Sequence, residues 1–227
     1  HLEHRRQRQM CIRDRTSTGV GKTRIATGIL AGVSRLGFST AGFKPVAAGC
    51  ERTTDGLQNG DAQKLLSQTS LSLSYEQINP IALEPAIAPH IAAEEIGQRL
   101  SASRLAGFYR GLMTNKPNFS VVEGAGGWLV PLNSEHNLAD LASELECEII
   151  LVVGLKLGCL NHALLTAAAV EASGLRLAGW VANLLSADMP FSQENIAALR
   201  QRIQAPLIAE IPFMQAIEPE SLAVYIN

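Results

Sequence analysis

The chain has 227 residues, 47% of them apolar, and a formal net charge of −2. That apolar fraction excludes disorder of the whole chain, and the near-zero charge gives no ground for nucleic acid or a membrane as main partner. Cys11, Cys50, Cys147 and Cys159 stand far apart without a C-x-x-C pair, and none of the five histidines joins them at ligand spacing, so the chain points away from zinc and toward a reducing compartment.

The first fifteen residues, "HLEHRRQRQMCIRDR", carry five arginines; Met10, Cys11 and Ile12 form the segment's one apolar run. It lacks the apolar stretch of a signal peptide. Next comes "TSTGVGKT", residues 16–23. The phosphate-binding pattern is G-x-x-x-x-G-K-S/T. Gly21, Lys22 and Thr23 fit its end, while Thr16 stands where the leading glycine belongs. From Lys22 onward, Ile25, Ile29, Val33 and Leu36 recur at helical spacing, and Gly37 is a stop.

"FSTAGFKPV" predicts an extended segment ended by Pro45. The stretch "AAGCERTTDGLQNGDA" (47–62) reads as a polar loop before a short helix. "INPIALEPAIAPH" has three prolines and is no regular helix. "AAEEIGQRLSASRLAGFYRGLM" (92–113) predicts one long amphipathic helix. Three apolar strands then alternate with helices: "FSVVEG", "EIILVVG" and "LRLAGWVAN"; "APLIAEIP" supplies a fourth. Each is short and rich in branched residues, as strands covered on both faces of a parallel sheet are. The expectation is α/β: one domain with a doubly wound, mostly parallel sheet. "IILVVGL" is among the longest apolar runs, far short of a membrane span.

In such a sheet, ligands bind beyond the carboxyl ends of the strands. Lys44 closes "STAGFK", Glu123 closes "SVVE" ahead of "GAGG", Asn183 closes "GWVAN", and Pro212 follows "IAEI". Singly, Lys44 reads as a solvent-reaching lysine, Asp61 as the N-cap of the next helix and Asn183 as a helix cap. His90 and His162 read as structural. Together with a G-K-T turn opening a helix, the strand-end residues mark one nucleotide site. Backbone N–H groups of the turn face phosphate, Lys22 neutralises β/γ charge and Thr23 ligates magnesium.

On these residues the chain resembles dethiobiotin synthetase, a P-loop NTPase-type fold. The resemblance runs from residue 16 to 227 through "TSTGVGKT", "AGFKPVAAG", "NGDA", "EPAIAPH", "VVEGAGGWLVPL", "LVVGLKLGCLNHALLTA", "LAGWVAN" and "AEIPF". It implies ATP- and Mg2+-dependent conversion of 7,8-diaminononanoate and CO2 to dethiobiotin, ADP and phosphate in the cytoplasm. It implies a phosphate grip on Gly19, Val20, Gly21, Lys22, Thr23 and Arg24, and magnesium on Thr23, Asp61 and Glu123. Lys44 matches the active-site lysine, Gly124, Ala125 and Gly126 the turn beside the nucleotide. Thr18 and the Ala47–Ala48 turn line the diamine pocket. Asn183, Leu184, Pro212, Phe213 and Met214 hold adenine. The family is homodimeric, and Gly158, Cys159, Leu160 and Asn161 resemble the segment reaching the partner's substrate.

The chain departs from the family at four places. The family's "GTDT" glycine and aspartate align with Arg15 and Ser17; a substrate-contacting serine aligns with Ala48, and an aspartate with Leu184. A phosphate loop of this kind follows a buried central strand, and the arginine-rich start is a poor one. Residues 1–15 are therefore expected to be non-native to the fold, residues 16–227 to be the domain. A sheet with a vacant slot is still expected to draw a short strand from this segment. Two other readings stay open. One is a MinD/ParA-like ATPase switch, although Thr16 and Ser17 stand where its second lysine belongs. The other is a catalytically impaired nucleotide-binding remnant.

Overall fold

A computed structural model of the chain describes residues 8–13, 19–214, 219–222 and 225. β1 (Arg8–Arg13) leads to α1 (Lys22–Arg35) and β2 (Thr40–Phe43). Small elements follow: β3 (Val46–Ala48), β4 (Glu51–Thr53), β5 (Gly56–Gln58), α2 (Gly60–Ser67), α3 (Tyr75–Ile78), β6 (Ile81–Leu83) and α4 (Pro89–Glu95). The chain then alternates through α5 (Ala102–Met113), β7 (Phe119–Glu123), α6 (Leu138–Glu144), β8 (Glu148–Leu155), α7 (Cys159–Ala172), β9 (Leu177–Leu184), α8 (Ser192–Arg200), β10 (Leu207–Ile211) and α9 (Pro219–Leu222).

Six strands form one sheet in the order β10-β9-β8-β1-β7-β2, every pair parallel. The expected α/β doubly wound sheet is present. β1 occupies its centre, with Ile12 in register with Glu123 on one side and Ile150 on the other. From β1 the chain runs to β2 and back to β7 on one side, then crosses to β8, β9 and β10 on the other. The reversal puts a crevice at the carboxyl end of β1, where such sheets bind ligands.

Alternation along the strands builds a layer on each face. Val152 and Val181 pack into a large core with Ile25, Leu30, Leu105, Tyr109 and Leu141. Their neighbours Leu151, Val153, Trp180 and Ala182 face the opposite layer, with Ala163, Ala167, Ile196 and Leu199 of α7 and α8. Among the described residues no helix is long and apolar enough to cross a membrane.

Three local expectations are corrected. The stretch 47–62 is not simply a loop: Val46–Ala48 is a strand pairing with β6, so Ala47 and Ala48 lie on a strand rather than in a turn. β4 and β5 form an antiparallel hairpin, Thr53 paired with Gly56. The signal was Asp55–Gly56 with short flanking strands. The long helix over 92–113 is two helices. Gly97, at φ 68, turns the chain out of the first, and Ser101 starts the second, its side chain accepting from the Arg104 amide at 3.2 Å. The N-cap of α2 is Asn59, not Asp61; its Oδ1 accepts from the amides of Asp61 at 3.0 Å and Ala62 at 3.3 Å.

Candidate active site

The phosphate turn is set by Gly21, the N-cap of α1, at φ 92 and ψ 22. Residues with a side chain rarely adopt that conformation, and a Cβ there would collide with Asn183 Nδ2. The first amides of α1 have no intrahelical acceptor and point off the helix start, where the dipole favours an anion. Val20 is fully buried, and its carbonyl accepts from Asn183 Nδ2 at 2.8 Å. That bond orients the Asn183 amide, because a carbonyl only accepts. Asn183 Oδ1 is buried and has no partner among the described residues. Its role is thus not that of a helix cap.

Glu123 gathers the reactive groups. It ends β7 fully buried, and its Oε1 accepts from Thr23 Oγ1 at 2.9 Å and from Lys44 Nζ at 2.8 Å. Lys44 is 4% exposed and also lies 3.7 Å from Asp61 Oδ2. A lysine at a strand end has here been drawn inward, because a buried carboxylate requires a cation. Glu123 Oε2 has no partner among the described residues. A hydroxyl and two carboxylates on one cluster are the hard oxygen donors that suit Mg2+, and the open Oε2 fits that use. Gly124, Ala125 and Gly126 leave β7 directly beyond it.

Residues that the sequence did not single out hold this cluster. The Lys44 amide donates to Ile78 O at 2.8 Å, and Asn79 Nδ2 donates to Lys44 O at 2.7 Å. The Tyr75 hydroxyl donates to Asn79 Oδ1 at 2.9 Å and accepts from the Asn59 amide at 2.7 Å. Asn59, by capping α2, leaves the Asp61 carboxylate to face Lys44. Burial pushes the Tyr75 phenol above its ordinary pKa. An asparagine before Pro80 and an asparagine before a helix were visible in the sequence, but their linkage was not.

The remaining expected residues lie on the same edge. Pro212, Phe213 and Met214 follow β10, Leu184 ends β9 beside Asn183, and Gly158 caps α7 just after β8. Cys159 is buried, whereas Leu160 and Asn161 reach the surface. One strand, β1, separates β8 from Glu123's strand, so this segment stands apart from the Lys44 cluster. Arg24 Nη1 donates to Met214 O at 3.5 Å. Thr18, Arg15 and Ser17 lie outside the described residues, as do residues 1–7 and 14 of the N-terminal segment.

Known proteins resemble this chain closely. A family described as an AAA domain matches residues 15–221. The ATP-dependent dethiobiotin synthetase BioD of Cellvibrio japonicus is 52% identical over 93% of this chain and 92% of that protein. BioD of Pseudomonas aeruginosa (strain UCBPP-PA14) is 50% identical over 93% of each. The chain belongs to the dethiobiotin synthetase family. These synthetases are ATP-dependent ligases, and the parallel sheet with its G-K-T turn is the nucleotide-binding frame of this one. Solved structures agree on the fold. The septum site-determining protein MinD of Pyrococcus horikoshii, complexed with Mg-ADP, superposes with a TM-score of 0.57 over 96% of this chain and 86% of its own, at 17% identity. A chain of the MinC:MinD cell division protein complex of Aquifex aeolicus gives 0.56 at 16% identity, over 92% of this chain and 82% of its own. At that identity the likeness is one of fold, and the far closer synthetases decide against a MinD-like switch.

Proposed function

We propose that this synthetase closes the ureido ring of dethiobiotin from 7,8-diaminononanoate, CO2 and ATP. One amine adds to CO2 and loses a proton, giving a carbamate. A carbamate oxygen attacks the γ-phosphorus of ATP and ADP leaves, producing a carbamic–phosphoric anhydride. The second amine attacks the carbamate carbon, phosphate leaves, and the ring closes.

The observation that carries the reading is the convergence of Thr23 and Lys44 on one oxygen of a fully buried Glu123. It joins the phosphate turn to the end of β2, where carbamate and γ-phosphate would meet. Thr23, Asp61 and Glu123 would hold Mg2+, which would offset phosphate charge there. Lys22 and the amides of Gly19 to Arg24 grip phosphate. Lys44 offsets charge on the carbamate and on the transferring phosphoryl group. Ala48 and Thr18 line the diamine pocket, the serine of relatives being replaced by a methyl. Asn183 Oδ1 accepts from the adenine amino group, with Leu184 and Pro212–Met214 around the ring. The enzyme works in the cytoplasm, where its nucleotide is made, as a homodimer in which Gly158 to Asn161 serve the partner's substrate.

The test is phosphate release with the diamine, bicarbonate, ATP and Mg2+, with dethiobiotin followed by mass. Diamine-dependent release with matching product is expected. ATP binding without release would favour the impaired remnant, and release indifferent to the diamine would favour an ATPase switch.

A further inference from the structure

Arg24 has a side chain that the reaction above does not use. It follows Thr23 in the first turn of α1, and Nη1, its one donor bonded among the described residues, reaches Met214 O at 3.5 Å, the limit of hydrogen-bond range. Nε and Nη2 are buried and have no partner among the described residues. Burial holds the guanidinium below its ordinary pKa. A guanidinium is a rigid fork of donors, and folded proteins rarely leave buried donors unmet. A methionine would fill the same volume without that cost. The donors therefore call for an acceptor that the described residues do not supply.

The place narrows the choice. Lys22, Thr23 and Lys44 serve the phosphate end, around Glu123. Arg24 turns instead to the segment after β10. There Ile211 is in register with Asn183 on the adjacent strand, and Asn183 carries an acceptor, Oδ1, unmet among the described residues. The unmet donors of α1 thus belong to a side chain that reaches the segment after β10, and the unmet acceptor ends the strand beside it. An adenine edge is their complement, with an amino donor flanked by ring-nitrogen acceptors.

We propose that the Arg24 guanidinium is a base-reading residue, donating from Nε or Nη2 to a ring nitrogen of the nucleotide base whose amino group Asn183 accepts. The proposal rests on the nucleotide site described above. Its test separates base from phosphate by titrating the protein with Mg-ADP and, in parallel, with inorganic tripolyphosphate plus Mg2+. Arg24→Met is expected to weaken ADP about tenfold, the scale of one good charge-assisted hydrogen bond, and to leave tripolyphosphate affinity unchanged. Arg24→Lys, which keeps the charge and loses the fork, is expected to recover only part of the loss. Melting without ligand should not fall in Arg24→Met, because the deleted donors had no strong partner. Equal weakening of both ligands would make Arg24 a phosphate contact and overturn the proposal. Unchanged ADP affinity would overturn it too, and so would a lower melting temperature in both variants, which marks a structural role. If the unaltered protein bound neither ligand, the nucleotide reading itself would fall, and this proposal with it.

Discussion

Glu123 shows how a single buried charge organises its surroundings. An acid after an apolar run has to find cations or donors, and it takes Lys44 and Thr23. Lys44→Ala is therefore expected to act twice. It lowers kcat by roughly 10²–10³, the cost of losing one preorganised charge at a reacting group, with little change in ATP affinity. It also lowers stability by about 3 kcal/mol, because Glu123 is left buried and unpaired. Adding Glu123→Gln should recover much of that stability and none of the rate; urea unfolding and initial rates check both halves. Lys22→Ala belongs to the opposite end of the site. It is expected to abolish turnover and to weaken ATP as well, since Lys22 meets phosphate in ground and transition states alike. Near-normal rates in that variant would remove the phosphate-loop reading.

At the scale of the element, β1 is the anomaly. Its neighbours read "FSVVE" and "EIILVVGL", whereas the central slot between them holds "RQMCIR". Backbone pairing fills the slot on both sides, as parallel ladders require of whatever chain enters it. We propose that residues 1–15 are a replacement for an apolar strand ending in glycine at position 15, where Arg15 now stands. Substituting such a strand is expected to raise Tm by about 3 °C, the equivalent of roughly 1 kcal/mol in a domain of this size, and to tighten ATP. Equal melting temperature and equal affinity in the two chains would show the segment to be a genuine variant. The broken helix at Gly97 teaches a related lesson. Apolar periodicity continued through it, but glycine and the Ser101 cap decided the boundary.

For the whole molecule, α7 joins fold to assembly. Cys159, Ala163, Thr166, Ala167 and Val170 bury one face of it in its own subunit. Its other side leaves apolar surface outside: Leu165 is 47% exposed, and Leu157, just before the helix, is 97% exposed. A homodimer covering that surface is expected, with the Gly158–Asn161 segment at the seam. Sedimentation should show a dimer at micromolar concentration. Leu157→Asp with Leu165→Asp should give a monomer whose KM for the diamine rises far more than its KM for ATP. A monomeric parent chain would count against the assembly.

Sequence alone determined the alternation of strands and helices, the phosphate turn and the polar residues at strand ends. These depend on local period, on glycine and on charge beside apolar runs, all readable over a few residues. It also indicated the family, because eight short motifs fall in order. Tertiary structure decided what long-range contact controls. Lys44 turned inward to a carboxylate 79 positions away. Asn183 became a buttress for Val20 rather than a cap. Asn59 took the cap and left Asp61 free for Lys44, with Tyr75 and Asn79 linking the two segments. None of these follows from neighbours in the chain: each is the choice of a buried polar group among partners that only folding brings within reach.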